Sequence, residues 1–421
     1  MTSHILAQQW HNPSDVLSIL LLLGPETVQL AIAQLSGRLV TPVAFSFGWV
    51  AFSANALLAV LGDGQLMPQS EIRNLLVIGA KSQFIRQNNS WVVGRLFRDL
   101  DAAADREMEN REMEHVPPVG SPHRPRFLPV SSPSPKGHGG KRSWEALRIS
   151  VYKTVDDEHR GGVVSIDWIW IASWVSIAAQ LSISIIPWAL SEEAAWQPFF
   201  ITASGTLLSL LSSSLPQWKQ EKWASPRRGG STVTLTRGNG YRHAITILGR
   251  QGIGLDIEIL ATGTRTTTAP ILTRILSAAF AVLWLALLIT VAGLSQQTWY
   301  VLGVGLLGSV QNIIASAVPR KPSALGFHLE LVEILRGKSV SEVLKAAETK
   351  YPSVGASLLP IFFPVFSSSM RVAAPDIPFW QGVKQRGHQE NRHGIRVDDI
   401  PYDSPFPEPE QQQDSEATIE S

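Results

Sequence analysis

The stretch ILSAAFAVLWLALLITVAGLSQQTWYVLGVGLLGSVQNIIASAVP, residues 275–319, runs for 45 residues without one Asp, Glu, Lys or Arg. A helix that crosses a bilayer needs about 20 mostly apolar residues. This run is therefore long enough for two helices, and the polar stretch Ser295-Gln296-Gln297-Thr298 marks the break between them. Three further runs also lack any charge: Leu39–Gly62, Trp168–Ser191 and Ala194–Trp218. Core helices of soluble proteins rarely run this long uncharged. The expected fold class is an α-helical integral membrane protein with about five transmembrane helices, at residues 42–61, 165–190, 196–217, 275–294 and 299–318.

Composition agrees. Only 17% of the 421 residues are charged, against about 25% in soluble proteins. Seven of the 14 tryptophans lie near expected span ends: Trp168, Trp170, Trp188, Trp196, Trp218, Trp223 and Trp299. Indole favours the headgroup region, where its ring stays half apolar and its N–H reaches water. Trp174 and Trp284 fall deeper and read as packing residues. The N-terminal segment Asp15–Gly37 is apolar but holds Pro25, Glu26 and Gln29. It reads as an interfacial or re-entrant segment, with a kinked sixth span as the alternative. Residues 1–15 carry no Lys or Arg, so no secretory signal is expected there.

Charge sets the orientation. Lys and Arg concentrate in cytosolic loops. The loop at 219–274 holds nine of them (Lys219, Lys222, Arg227, Arg228, Arg237, Arg242, Arg250, Arg265 and Arg274) against three acids. Arg142 and Arg148 precede the second span, and Arg320 and Lys321 follow the last. The short connections at 191–193 and 295–298 have none. All basic clusters fall on one side, which makes the C-terminus cytosolic. The sequon Asn88-Asn89-Ser90 lies on that side and is expected to be unmodified.

The polar regions differ in kind. Within the cytosolic loop 63–162, Ser70–Ile85 and Trp91–Glu114 are expected to be helical. Val116–Gly140 is rich in Pro, Ser, Gly and His and reads as a disordered linker. Thr232–Arg237 and His243–Leu248 alternate around Gly238-Asn239-Gly240, a hairpin signature. Leu147–Tyr152 also alternates, and Ile257–Leu260 is a further candidate strand. A lone hairpin is only marginally stable, so these pieces are expected to form a small cytosolic β-sheet. Glu330–Arg336 and Val340–Lys350 read as short helices, and the chain from about 375 reads as a disordered tail.

The search for chemistry returns little. Absence of cysteine excludes disulfides, thiolate metal sites and a cysteine nucleophile. Lys plus Arg, 36, nearly cancels Asp plus Glu, 35, so no field recruits nucleic acid. There is no HExxH, Walker A, GxSxG or EF-hand sequence, and no cofactor or metal is expected. The glycines at 249, 252 and 254 lack dinucleotide-loop spacing and read as a connector. No catalytic residue is assigned. The intramembrane polar candidates are Asp167, Asn55, Gln180, Gln311 and Asn312. Asp167 at a span end reads first as a structural boundary and second as part of an ion or proton relay. The four amides read first as interhelical hydrogen-bonding groups.

Several strings carry a resemblance: Thr41–Val50 (TPVAFSFGWV), Gly62–Pro68 (GDGQLMP), Ser90–Leu96 (SWVVGRL), Leu215–Trp218 (LPQW) and Leu235–Gly240 (LTRGNG). Across most of residues 10–330 the chain resembles a broad, functionally uncharacterised family of multi-pass membrane proteins from filamentous fungi. The resemblance implies membrane topology and fungal origin and transfers no residue roles. The expected function is a non-catalytic membrane scaffold or accessory protein. Its partners would be the lipid bilayer and cytosolic proteins, in a setting such as lipid or secondary metabolism. The alternative is a transporter or channel component using the intramembrane polar residues.

Overall fold

The computed structural model describes residues 24–62, 65–114, 145–155, 162–190, 195–226, 229–263, 269–294, 297–363, 376–383 and 385, without side chains for 108–114. The expected linker 116–140 and most of the expected tail lie outside these residues. The chain divides into two units, and the second covers residues 365–421. Within them, residues 376–383 form a short helical stretch in which the Phe379 and Trp380 rings meet edge to face.

Among the described residues, four helices are long and apolar enough to cross a membrane: α4 (Trp168–Leu190), α5 (Gln197–Ser213) extended by α6 (Pro216–Lys222), α8 (Ile271–Ala292) and α9 (Thr298–Ala317). Two shorter helices precede them, α1 (Pro25–Leu35) and α2 (Gly48–Leu61). The expected span at 42–61 is therefore helical only from Gly48, for 14 residues. Residues 41–46 run non-helically instead, because Pro42 has no N–H and side chains of other helices take up the main chain there. The helices close around Ile32, Phe45, Trp49, Trp218, Trp284, Val301 and Val304. Trp284 stacks between Trp49, at 5.5 Å, and Phe45, at 6.1 Å. Outward, α8 presents Ile275, Val282, Leu285 and Ile289, each more than half exposed.

A six-stranded mixed sheet forms the second layer. Its strands are β1 (Leu76–Gly79), β2 (Ile85–Gln87), β3 (Leu147–Thr154), β4 (Val233–Thr236), β5 (His243–Leu248) and β6 (Leu329–Gly337), in spatial order β2-β1-β4-β5-β3-β6. Only β3 and β5 are parallel, with Arg148 beside His243 and Ser150 beside Ile245. Helix α3 (Trp91–Glu114) packs Trp91, Val92, Leu96, Phe97 and Leu100 against Val77, Leu235, Ile245 and Ile247. Helices α10 (Val340–Lys350) and α11 (Val354–Phe362) pack against the sheet's β3, β6 and β1 strands.

Three sequence expectations fail here. Ser70–Ile85 is not a helix: Leu76–Gly79 pairs with β4 and turns back into β2. Glu330–Arg336 is not a helix: it is the core of β6, captured by β3 over eight residue pairs with a bulge at Val151/Tyr152. Ile257–Leu260 is not a strand. It lies in the short helix α7 (Ile257–Thr262), because Asp256 caps it by accepting the Ile259 N–H at 3.2 Å.

Candidate functional site

Three of the expected polar residues meet the non-helical segment or its neighbours inside the helical layer. An extended chain among apolar helices has N–H and C=O groups that its own segment cannot satisfy, and each one left buried costs about 1–3 kcal/mol. Side chains from four helices address that cost. Gln180 Nε2, on α4, donates to Phe45 O at 2.7 Å and to Val304 O at 2.8 Å. Asn312 Nδ2, on α9, donates to Ala44 O at 3.1 Å and to Ser46 Oγ at 3.2 Å. Trp49 Nε1 donates to Ala44 O at 3.0 Å. At the segment's start, Ser213 Oγ donates to Thr41 O at 2.7 Å, and Ser214 Oγ accepts from Thr41 N at 3.1 Å. Gln311 Nε2 donates to Ser173 Oγ at 3.1 Å, a contact between α9 and α4. The close approach needs glycine: a Cβ on Gly308 would stand 1.7 Å from Phe45 O. The oxygens Gln180 Oε1 and Asn312 Oδ1 are buried without a hydrogen-bond partner among the described residues.

Asn55 does not join them. It is exposed on the outer face of α2, so it lines no interior path.

Asp167 belongs to a second constellation, at the seam between the helices and the sheet layer. Arg320 holds it with two hydrogen bonds, Nε to Oδ2 at 2.6 Å and Nη2 to Oδ1 at 2.7 Å. Oδ1 also caps α4 by accepting the Trp170 N–H. The Arg320 side chain is fully buried, and its Nη1 donates to Gln34 O at the end of α1. The Arg320 backbone N–H donates to Asp99 on α3 at 2.9 Å. Arg95, equally buried, pairs with Glu71 at 3.2 Å and Asp99 at 3.5 Å and donates to Val318 O. Arg98 reaches Glu71 and Ala317 O. Burial pulls the Arg95 guanidinium below its ordinary pKa, opposed chiefly by Asp99. Lys222 completes the seam from α6, donating to Ser36 O at 2.8 Å and Gln34 O at 3.3 Å, with its ammonium 5.0 Å from the Trp223 ring centre. Two cations thus cap the C-terminal carbonyls of α1, where the helix dipole favours positive charge.

The third constellation escaped the sequence reading, which assigned no catalytic residue. His243 Nε2 lies 2.9 Å from Ser150 Oγ, and His243 Nδ1 lies 2.7 Å from Asp101 Oδ1. Tyr241 OH donates to the other Asp101 oxygen. Burial raises the Asp101 carboxyl, but the hydrogen bonds from His243 and Tyr241 outweigh it and hold the pKa below the ordinary value. Burial and Asp101 push Tyr241 up to about 12. The order of groups matches a nucleophilic triad, yet the depth is reversed. Asp101 is the most exposed member, with 17% of its side chain accessible, while Ser150 sits at the buried end with 2% exposure. A nucleophile must meet its substrate, and here the serine faces the interior under α3. The arrangement serves as a polar staple between α3 and the sheet.

A cavity of about 120 Å³ lies near this seam, between the loop after α2, the start of α3 and the ends of α6 and α7. Glu221 borders it, with one carboxylate oxygen accepting the N–H groups of Leu66 and Met67 at 2.6 and 2.7 Å.

No family model, curated protein or solved structure matches this chain.

Proposed function

We propose that this chain is an integral multi-pass membrane protein whose role is to hold a rigid α/β platform at the cytosolic face for protein partners. It acts as a scaffold or accessory component and carries out no chemistry itself. The observation that carries the reading is the buried ionic seam. Arg320–Asp167, with Arg95, Asp99 and Arg98, ties the start of α3 to the ends of α4 and α9. A sheet fixed in this way cannot swing as a tethered loop would. The one-sided basic clusters support a cytosolic platform and C-terminus. The resemblance to fungal membrane proteins agrees with this topology and adds no activity.

The test uses the full chain in cells. Reporters at residues 130 and 421 should both read cytosolic. Proximity labelling from residue 421 should identify partners whose capture is lost when exposed charges of the sheet layer are replaced at unchanged abundance. Lumenal signal at either reporter would overturn the orientation. Partner capture that persists without the platform's surface charges would overturn the scaffold role.

A second reading, a transporter component, draws on one observation. Irregular backbone at membrane depth occurs where it is buried in protein or lines a path, and Thr41–Phe47 is such a segment, flanked by two unpartnered carboxamide oxygens. Solute flux lost in Gln180→Leu and Asn312→Leu variants that still fold would favour it. Asp167 supports this reading less, since Arg320 engages both of its oxygens.

A further inference from the structure

Asn55 is the one intramembrane candidate that the interior does not use. It is the eighth of the 14 residues of α2 and faces outward. Its carboxamide has no hydrogen bond among the described residues, whereas Gln180, Gln311 and Asn312 all bond inward. Around it the outer face of α2 is apolar. Ala54 and Leu58 are exposed, and Leu61 is 62% accessible. Ala51 and Ala59 flank it one turn to either side and are half-buried.

On the membrane reading proposed above, on which this inference rests, that face looks into hydrocarbon. A carboxamide there has neither water nor a protein partner, and the bilayer penalises it. We infer that α2 pairs with α2 of a second copy of this chain, with the two Asn55 side chains hydrogen-bonded across the two-fold axis. A carboxamide carries both N–H donors and a carbonyl acceptor. It can therefore satisfy an identical group, which is what a two-fold contact between identical surfaces requires. The alanines at 51, 54 and 59 are small enough to let two helix backbones approach. No charge on this face calls for an unlike partner, and lipid chains offer no hydrogen bond.

The chain contains no cysteine, which makes the test direct. An Asn55→Cys protein carries a single thiol, and oxidation in native membranes should yield a covalent dimer. A Leu285→Cys protein, with its thiol on the lipid-facing side of α8, should stay monomeric. In reconstituted bilayers at graded dilution, Asn55→Leu should weaken self-association about three- to thirty-fold, and Asn55→Gln should largely retain it. Absence of a cross-link at 55, equal cross-linking at 285, or unchanged association in Asn55→Leu would overturn the pairing. So would an intrachain link in a Leu20→Cys, Asn55→Cys protein, since the N-terminal stretch would then cover the face. Alkaline extraction keeps the two ideas apart. Release of the wild-type chain from membranes would overturn the membrane reading and the pairing together. Retention without a cross-link overturns the pairing alone.

Discussion

Replacing Asp167 with Asn tests whether the ionic seam holds the two layers together. The change keeps the side chain's shape and removes its charge. Arg320 is fully buried and gives two of its hydrogen bonds to Asp167, at 2.6 and 2.7 Å. Its remaining contacts are a main-chain carbonyl at Gln34 and, through its own backbone, Asp99. Of these two, only the uncharged Gln34 carbonyl touches the guanidinium. The variant therefore leaves a buried guanidinium without its carboxylate, and breaking a buried pair from one side costs about 3–5 kcal/mol. Replacing both partners by apolar residues of similar size is often neutral, so Asp167→Leu with Arg320→Met should recover most of the loss. The assay is reversible unfolding of the full chain in bicelles, read by tryptophan fluorescence and proteolysis. A single-variant loss below about 1 kcal/mol, or a double variant as unstable as the single, would refute the reasoning. An ion-relay role for Asp167 makes a different forecast: solute flux would fall in Asp167→Asn while stability stayed level.

Other outcomes follow from particular contacts. Gly308→Ala places a methyl 1.7 Å from Phe45 O, so the segment must move; misfolding, read as loss of the monodisperse peak in detergent chromatography, is expected. Gln180→Leu leaves Phe45 O without its Gln180 donor, a loss of about 1–3 kcal/mol in the same unfolding assay. Asp101 titrates below the ordinary carboxylate range because His243 and Tyr241 donate to it. Its stabilisation is therefore present above the unfolded value, about 3.9, and fades as pH falls through the lower folded value. Asp101→Asn should flatten that acid limb of the stability curve. Tyr241, at about 12, should ionise late in an absorbance titration, its stabilising share lost between about pH 10 and 12, and Tyr241→Phe should remove one late-ionising group.

The sequence disclosed what depends on local pattern and concealed what depends on distant partners. Charge-free runs marked the long helices because a bilayer-length helix leaves its signal within its own residues. The hairpin at 233–248 declared itself through alternation and glycines. Leu76–Gly79 did not, since only its pairing with β4, over 150 positions later, makes it a strand. Residues 329–337 have Leu331 and Leu335 at helical spacing, and the long pairing with β3 overrides that pattern. Gln180 and Asn312 stood out as amides in apolar runs. Their acceptors are main-chain carbonyls of Ala44 and Phe45, which no side-chain pattern advertises. The Ser150–His243–Asp101 staple joins a strand, a neighbouring strand and a helix, and only the parallel register of β3 and β5 brings the first two together.

That parallel pairing has a consequence for synthesis. Between β3 and β5 the chain travels through α4, α5 and α6, and β6 is made only after α8 and α9. As the chain leaves the ribosome, β3 has neither of its sheet neighbours until those helices have been made, and its second edge stays open until the last of them is finished. Closure of the sheet thus follows synthesis of every one of these long apolar helices. A chain with one misinserted helix would keep Ile149 and Val151, both fully buried in the finished sheet, open to chaperones and proteases. The sheet layer is therefore completed only after the helices beneath it have been made.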